Sequence, residues 1–270
     1  MLGTGLVDPR AIGKSQPVSG PVLFSRYAFP PNRHGYCGPS DHVAFFETGV
    51  AGNPDGGLQS MAREFAGAWP ILELIAHATG VTDPLDRRVV EAYWVGSPRL
   101  EQVSMSALGR SMEDRFRQKT GMHYTSLSNE VAAGAVPHHS FLVFCIYPWT
   151  GLLGKDARAR QALTVLDMCR IRWGRVMAVA GDQAVVQSTH LSWDGRRLEF
   201  AAPTTETVVH SIDGVGLSSP LGPGDWVSMH WEWICDRLTE RQVRTLRYYT
   251  ERHLKIINEA GPTGATMVLH

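Results

Sequence analysis

Met168-Cys169-Arg170-Ile171-Arg172-Trp173-Gly174-Arg175-Val176 is the stretch on which the fold turns. Upstream of it the apolar residues recur at helical spacing; downstream the chain breaks into short β-type runs separated by turns. The run sets Cys169 at the mouth of a strand that continues through Val176-Met177-Ala178-Val179-Ala180 to a turn at Gly181-Asp182. Further on, Gly224-Asp225-Trp226-Val227-Ser228-Met229-His230 ends a second strand on a histidine. A thiolate and an imidazole delivered by two strands of one small barrel make a soft two-ligand metal site.

Between those two runs, Asp194-Gly195 is a hairpin signal joining Leu191-Ser192-Trp193 to Arg196-Arg197-Leu198-Glu199-Phe200. Thr207 to Ile212 is a further strand candidate, Gly214 to Gly224 reads as loop, and Trp226 to Trp233 as the last strong strand. Thr239 and Gln242 form a capping-box pattern that opens a helix burying Val243, Leu246, Tyr249, Leu254 and Ile257. Short strands with tight turns suit a small closed barrel better than an open sheet.

Upstream, Phe24 to Pro39 holds paired prolines and two glycines and reads as an irregular packed loop. Gly52 to Gly57 is a second break. Leu58, Met61, Phe65, Trp69, Leu72 and Ile75 then recur at helical spacing, with a kink expected at Pro70. Asp83-Pro84 and Ser97-Pro98 each read as an N-cap followed by a first-turn proline. The second of these helices is expected to stop at Gly121. Phe141-Leu142-Val143-Phe144-Cys145-Ile146-Tyr147 is an apolar run whose period does not distinguish strand from helix. A short helix is expected from about Asp156 to Leu166.

The whole chain therefore reads as α+β: a mainly α-helical N-terminal domain, then a small OB-like β-barrel with a C-terminal helix. The divisions are a flexible lead over 1–22, the helical domain over 23–165, barrel and closing helix over 166–260, and a tail over 261–270. The 26 basic and 26 acidic residues cancel, which argues against a nucleic-acid partner. No window is apolar enough for a membrane span, and the N-terminus lacks a secretory core, so a cytoplasmic location is expected. P-loop, GxGxxG, GxSxG and HExxH motifs are absent, which disfavours nucleotide-dependent and common hydrolytic chemistry.

The order Met168-Cys169, a glycine–valine strand (Trp173-Gly174-Arg175-Val176), Ala184-Val185-Val186, Gly224-Asp225-Trp226-Val227, His230 and a charged helix resembles the HypC/HupF-type maturation chaperones of nickel–iron hydrogenases. The resemblance covers roughly 168–258; the N-terminal part resembles only uncharacterised actinobacterial-type proteins. It implies a non-catalytic hydrogenase maturation chaperone or carrier. Cys169 and His230 would hold iron as an Fe(CN)2CO-type fragment for a hydrogenase large-subunit precursor or a maturation scaffold protein. Three features depart from that family. Cys169 is internal rather than N-terminal, Trp173 replaces a proline, and Trp231-Glu232-Trp233 is bulkier than the residues the family places there.

Each candidate also has a plain structural reading. Cys169 is a small buried hydrophobe unless Arg170, Arg172 and Arg175 stabilise its thiolate. Strand alternation puts His230 on one face with Ser228 and Glu232, and Glu232 is a candidate to orient the ring. Cys37, bracketed by His34 and His42, fits either a second site or a tight turn. Of the neighbours His138 and His139, one at most is expected to serve a site, His139 being the secondary candidate. Cys145 and Cys235 read as core. Two alternatives stand beside the carrier: a metal- or thiol-dependent enzyme using Cys37 with His34, His42 or His139, and a metal-free interaction module docking through its tryptophans.

Overall fold

A computed structural model describes residues 18–52, 57–120, 133–154, 156–218 and 220–260, with side chains undescribed at 113–120, 156 and 157. The expected lead up to residue 17, much of the break after Gly52, the stop at Gly121 and the tail over 261–270 lie outside the described residues.

The first helix, α1 (Gly20–Arg33), runs through the middle of the core, where Val22, Leu23, Phe24, Tyr27, Ala28 and Phe29 are all buried. This corrects two expectations. The segment read as a loop is helical up to Arg33 and irregular only from His34 to Pro39, and its helix begins inside the stretch assigned to the lead. Pro30 and Pro31 fall in its last turns, where a lost N–H donor costs two hydrogen bonds but does not stop a helix held by so much buried apolar surface. Phe24 meets Phe65 edge-on at 5.4 Å, Tyr27 stacks on Trp94 at 5.5 Å, and Phe29 meets Trp233 edge-on at 5.0 Å. Helices α2 (Val43–Ala51) and α5 (Arg87–Trp94) pack directly on α1, and α3 (Leu58–Arg63) and α4 (Trp69–Ala78) join the same core. Pro70 opens α4 rather than kinking one long helix, because a first-turn N–H has no partner to lose. Asp86, not Asp83, caps α5 by accepting from Arg88 N at 2.8 Å. Ser97 caps a 3-10 turn, Pro98–Gln102, ahead of α6 (Met105–Thr120). The ambiguous apolar run is helical: one α-turn, His139–Phe141, passes into a π-helix, Leu142–Ile146.

Helix α7 (Asp156–Cys169) leads into the barrel, so the boundary placed after residue 165 falls inside a helix. Cys169 is its last residue, and strand β1 (Arg172–Ala180) starts just after it. Then follow β2 (Gln183–Ser188), β3 (Leu191–Trp193), β4 (Leu198–Phe200), β5 (Thr204–Val209), β6 (Ser211–Ile212), β7 (Val215–Gly216), β8 (Trp226–His230) and β9 (Trp233–Leu238). Five of these make a barrel in the order β1-β2-β5-β9-β8, with β1 also paired to β8. Antiparallel pairs throughout, except a parallel join of β5 to β9, give the OB-like arrangement. That parallel join is the single pair Val209↔Trp233, so the ring is thinnest there. Strand β9 corrects the expectation that Trp226 to Trp233 was one terminal strand: the chain reverses at Trp231-Glu232, with Trp231 at φ 54°. Helix α8 (Glu240–Ala260) closes the chain, and Thr239 and Gln242 form the reciprocal cap, Gln242 N donating to Thr239 Oγ1 at 3.2 Å and Thr239 N to Gln242 Oε1 at 2.9 Å.

The helices and the outer barrel wall share one apolar core, while Val176, Ala184, Val186, Val208, Val227, Met229 and Ile234 fill the barrel itself. Gly174 sits where β1 is squeezed between its neighbours. A Cβ there would overlap Val186 Cγ1 and stand 2.8 Å from Gln187 O. Gly174→Ala is therefore expected to destabilise the protein by about 1–3 kcal/mol, read as a lowered urea midpoint with unchanged slope. An unshifted midpoint would mean the barrel is looser there than its side chains suggest. No helix among the described residues is long and apolar enough to cross a membrane.

Candidate metal centre

Three elements converge under α1. The end of α7 supplies Cys169, the end of β8 supplies His230, and the α-turn before the π-helix supplies His139. One ligand atom from each lies within 4.8 Å of both others, and among the described residues this is the group of metal-ligating side chains so placed. The two imidazoles meet edge to face with centroids 5.2 Å apart. Trp94 lies against both rings, at 4.6 Å from His139 and 5.6 Å from His230.

Hydrogen bonds fix how each ring is protonated. His230 Nδ1 donates to Tyr27 O at 2.7 Å, since a carbonyl only accepts. Tyr27 O is available because residue 31, whose N–H would normally bond it, is a proline. His230 Nε2 therefore carries a lone pair; it is buried beside the Cys169 backbone and makes no hydrogen bond of good geometry. Burial holds the His230 imidazolium far below its usual range, and nearby His139 adds to that. A neutral ring, its Nδ1 anchored to a backbone carbonyl and its Nε2 free, is the form a metal ligand takes. His139 is satisfied at both nitrogens: Nε2 donates to Cys169 O at 2.8 Å and Nδ1 accepts from Tyr93 Oη at 3.1 Å. Burial lowers its pKa to about 4, so it too is neutral at physiological pH.

Cys169 differs from expectation in its charge state. Burial, with a smaller contribution from Cys37, pushes its thiol well above the usual range, so a metal must displace a proton to bind it. The arginines expected to hold a thiolate are engaged elsewhere. Arg170 donates to Asp167 Oδ1 at 2.8 Å and Thr189 O at 2.5 Å, and lies over the rings of Trp173 and Phe200. Arg172 donates to Glu206 and to Trp231 O, and Arg175 reaches Gly224 O on the surface.

The remaining candidates lie outside the trio. Glu232 does not orient His230. It falls in the turn after β8 and accepts from His34 Nε2 at 2.7 Å, a surface pair. Alternation holds within β8, where Ser228 and His230 both meet Tyr27 while Val227 and Met229 fill the barrel, but the strand ends at His230 and Trp231 at φ 54° turns Glu232 away. Tyr36 lies against the Trp231 ring at 4.5 Å, so the loop after α1 is laid over the turn that follows His230. Cys37, in that loop, has its thiol pushed up to about 12 by burial. His42 packs near Phe29 at 6.4 Å. His138, next to His139, turns the opposite way: its Nδ1 and Ser140 Oγ are 2.7 Å apart, and Ser140 Oγ accepts from His253 Nδ1 at 2.7 Å. Cys145 and Cys235 are core residues.

Sequence reasoning missed Tyr27, Tyr93 and Trp94, which position the rings. It also missed the charged cluster Asp167, Arg170, Arg172, His190 and Glu206 beside the site. The one local signal was the Tyr27–Pro31 spacing; the other contacts join residues far apart in the chain.

The chain belongs to the Family of unknown function (DUF6390), whose model matches residues 16–263. Neither the curated proteins nor the solved structures contain a match to it.

Proposed function

We propose that this DUF6390 protein is a cytoplasmic hydrogenase maturation factor that carries iron, as an Fe(CN)2CO-type fragment, on Cys169 and His230. It would pass that cargo to a hydrogenase large-subunit precursor or a maturation scaffold. The observation that carries the reading is His230 Nε2, a buried lone pair with no hydrogen bond of good geometry, next to a cysteine sulfur. An orphaned buried acceptor costs about 1–3 kcal/mol, a cost that a bound cation removes. Sulfur plus imidazole suits a soft, low-spin iron rather than magnesium or calcium. The OB-like barrel and its closing helix agree with the resemblance to the HypC/HupF-type chaperones.

The chain's own residues bind and orient. Tyr27 O holds the His230 ring at the required rotation, Trp94 packs against the His139 and His230 rings, and the half-buried Cys169 would release its thiol proton to solvent as the sulfur bonds the cargo. An enzyme built on Cys37 is less well supported, because a thiol at about 12 is a poor nucleophile at neutral pH.

Infrared spectroscopy of protein purified anaerobically from a host running hydrogenase maturation tests the reading. Cyanide and carbonyl stretches are expected in wild type and lost in Cys169→Ala and His230→Ala. Wild type without those bands, from cells that mature active hydrogenase, would refute the carrier.

A further inference from the structure

We infer that His139 is a third protein ligand, so that the helical part of the chain completes the metal site and the cargo would be held by one sulfur and two imidazole nitrogens. This rests on the proposed carrier function and extends it. Of the first two ligands, Cys169 ends the helix that leads into the barrel and His230 ends a barrel strand; the third comes from a helical segment that the barrel-only chaperones lack.

The geometry supports it directly. A ligand atom of His139 lies within 4.8 Å of those of both Cys169 and His230; adjacent ligands on one ion with bonds of about 2.0–2.3 Å stand about 3 Å apart, so side-chain adjustments of about an ångström draw the three onto one ion. His139 can change roles at little cost. Its Nε2 now donates to Cys169 O, and its Nδ1 faces Tyr93 Oη, a hydroxyl able to donate or accept. Moving the proton from Nε2 to Nδ1 frees the Nε2 lone pair for the metal, and Nδ1–H then donates to Tyr93 Oη. Only the bond to Cys169 O is given up. Tyr93 thereby orients His139 as Tyr27 O orients His230.

The ligand count has a chemical consequence. Two cyanides and one carbon monoxide occupy three positions on iron, and three protein ligands fill the other three. Low-spin ferrous iron with six two-electron donors is a closed shell and exchanges ligands slowly. A carrier with two protein ligands keeps a position vacant for its client; this one has none. It is therefore built to store the fragment, and handover requires His139 to leave first.

Cobalt(II) chloride added anaerobically to the full-length apoprotein tests this without the cargo. Wild type is expected to bind one cobalt with a thiolate-to-cobalt absorption band that Cys169→Ser removes. X-ray absorption is expected to count one sulfur and two imidazoles. His139→Ala should keep the band but bind cobalt more than ~100-fold more weakly, since losing even an outer-shell partner costs 10- to 100-fold. The wild-type ligand count stands even if that variant folds poorly. One imidazole in wild type, or unchanged affinity in a folded His139→Ala, overturns the third ligand and leaves the Cys169–His230 carrier intact. No thiolate–cobalt band in wild type sinks both.

Discussion

Acidifying the apoprotein from neutral to about pH 4 is expected to remove roughly 3 kcal/mol of stability through His253 alone. His253 is fully buried on α8, and burial, helped by Arg252, lowers its pKa to about 3. Its Nε2 accepts from Val136 N at 3.2 Å, and its Nδ1–H donates to Ser140 Oγ, so the neutral ring is the bonded form. The sign follows from that depression. Above the unfolded value, near 6.5, neither state binds the proton and stability is unaffected. Below it the unfolded chain protonates and the folded one does not, so stability falls by about 1.4 kcal/mol per pH unit until the folded pKa is reached. His138, His139 and His230, all depressed by burial, add losses of the same sign. His190 works the other way: its bond to Asp167 raises its pKa, a contribution present below the unfolded value and lost as pH rises through the folded one. For Asp167, burial alone would raise the carboxyl. His190, the arginines and Leu191 N outweigh burial and hold it at about 2, so its contribution is lost only in stronger acid. Urea unfolding across this range, with chelator present, checks the prediction. His253→Gln should flatten the pH slope by about one proton even if it lowers stability at neutral pH. An unchanged slope in that variant would assign the acid sensitivity to other groups.

Arg172→Ala is expected to cost about 3–5 kcal/mol, the usual penalty for breaking a buried ion pair from one side. Arg172 is 0 % exposed on β1. It donates to both oxygens of Glu206 on β5, at 2.5 and 2.6 Å, and to Trp231 O in the turn after β8. It thus ties together three segments at one end of the barrel, next to His230. Its removal leaves the Glu206 carboxylate with Ser188 and His190 only, and Trp231 O with no donor. The pair's net contribution is a separate matter, because desolvating two charges offsets much of their attraction. The double variant Arg172→Met/Glu206→Leu should recover most of the single-variant loss, measured as unfolding free energy in a double-mutant cycle. A single-variant cost below about 1 kcal/mol would show that water reaches Glu206 and takes over the role of Arg172.

How much of this was legible in the sequence depends on the range of the interactions. The capping box at Thr239 and Gln242, the switch of period near Cys169 and the histidine ending β8 are local signals, and each marks a real feature. Helix α1 was hidden because its paired prolines outweighed an apolar sequence that is buried all round and therefore shows no helical stripe. Strand β9 was hidden because the reversal before it uses Trp231 at positive φ, without the glycine or asparagine that would announce a turn. The arginines beside Cys169 misled because proximity in sequence says nothing about which carboxylate a guanidinium finds in the fold. No spacing rule links His139 to Cys169 and His230; only the packing of α1 and Trp94 over the barrel brings the three together.

A last consequence concerns position 31, whose side chain has no place in the metal's coordination. The nitrogen that His230 offers is basic because its other nitrogen keeps a proton, and it keeps that proton because a pyrrolidine four residues beyond Tyr27 has none to lend. A homologue with an ordinary residue there would set an in-helix amide against the imidazole for the same oxygen, and the ring would be free to turn over. Among relatives that keep both the cysteine and the histidine, the residue at that one helical site marks those in which the ring is already aimed at a metal.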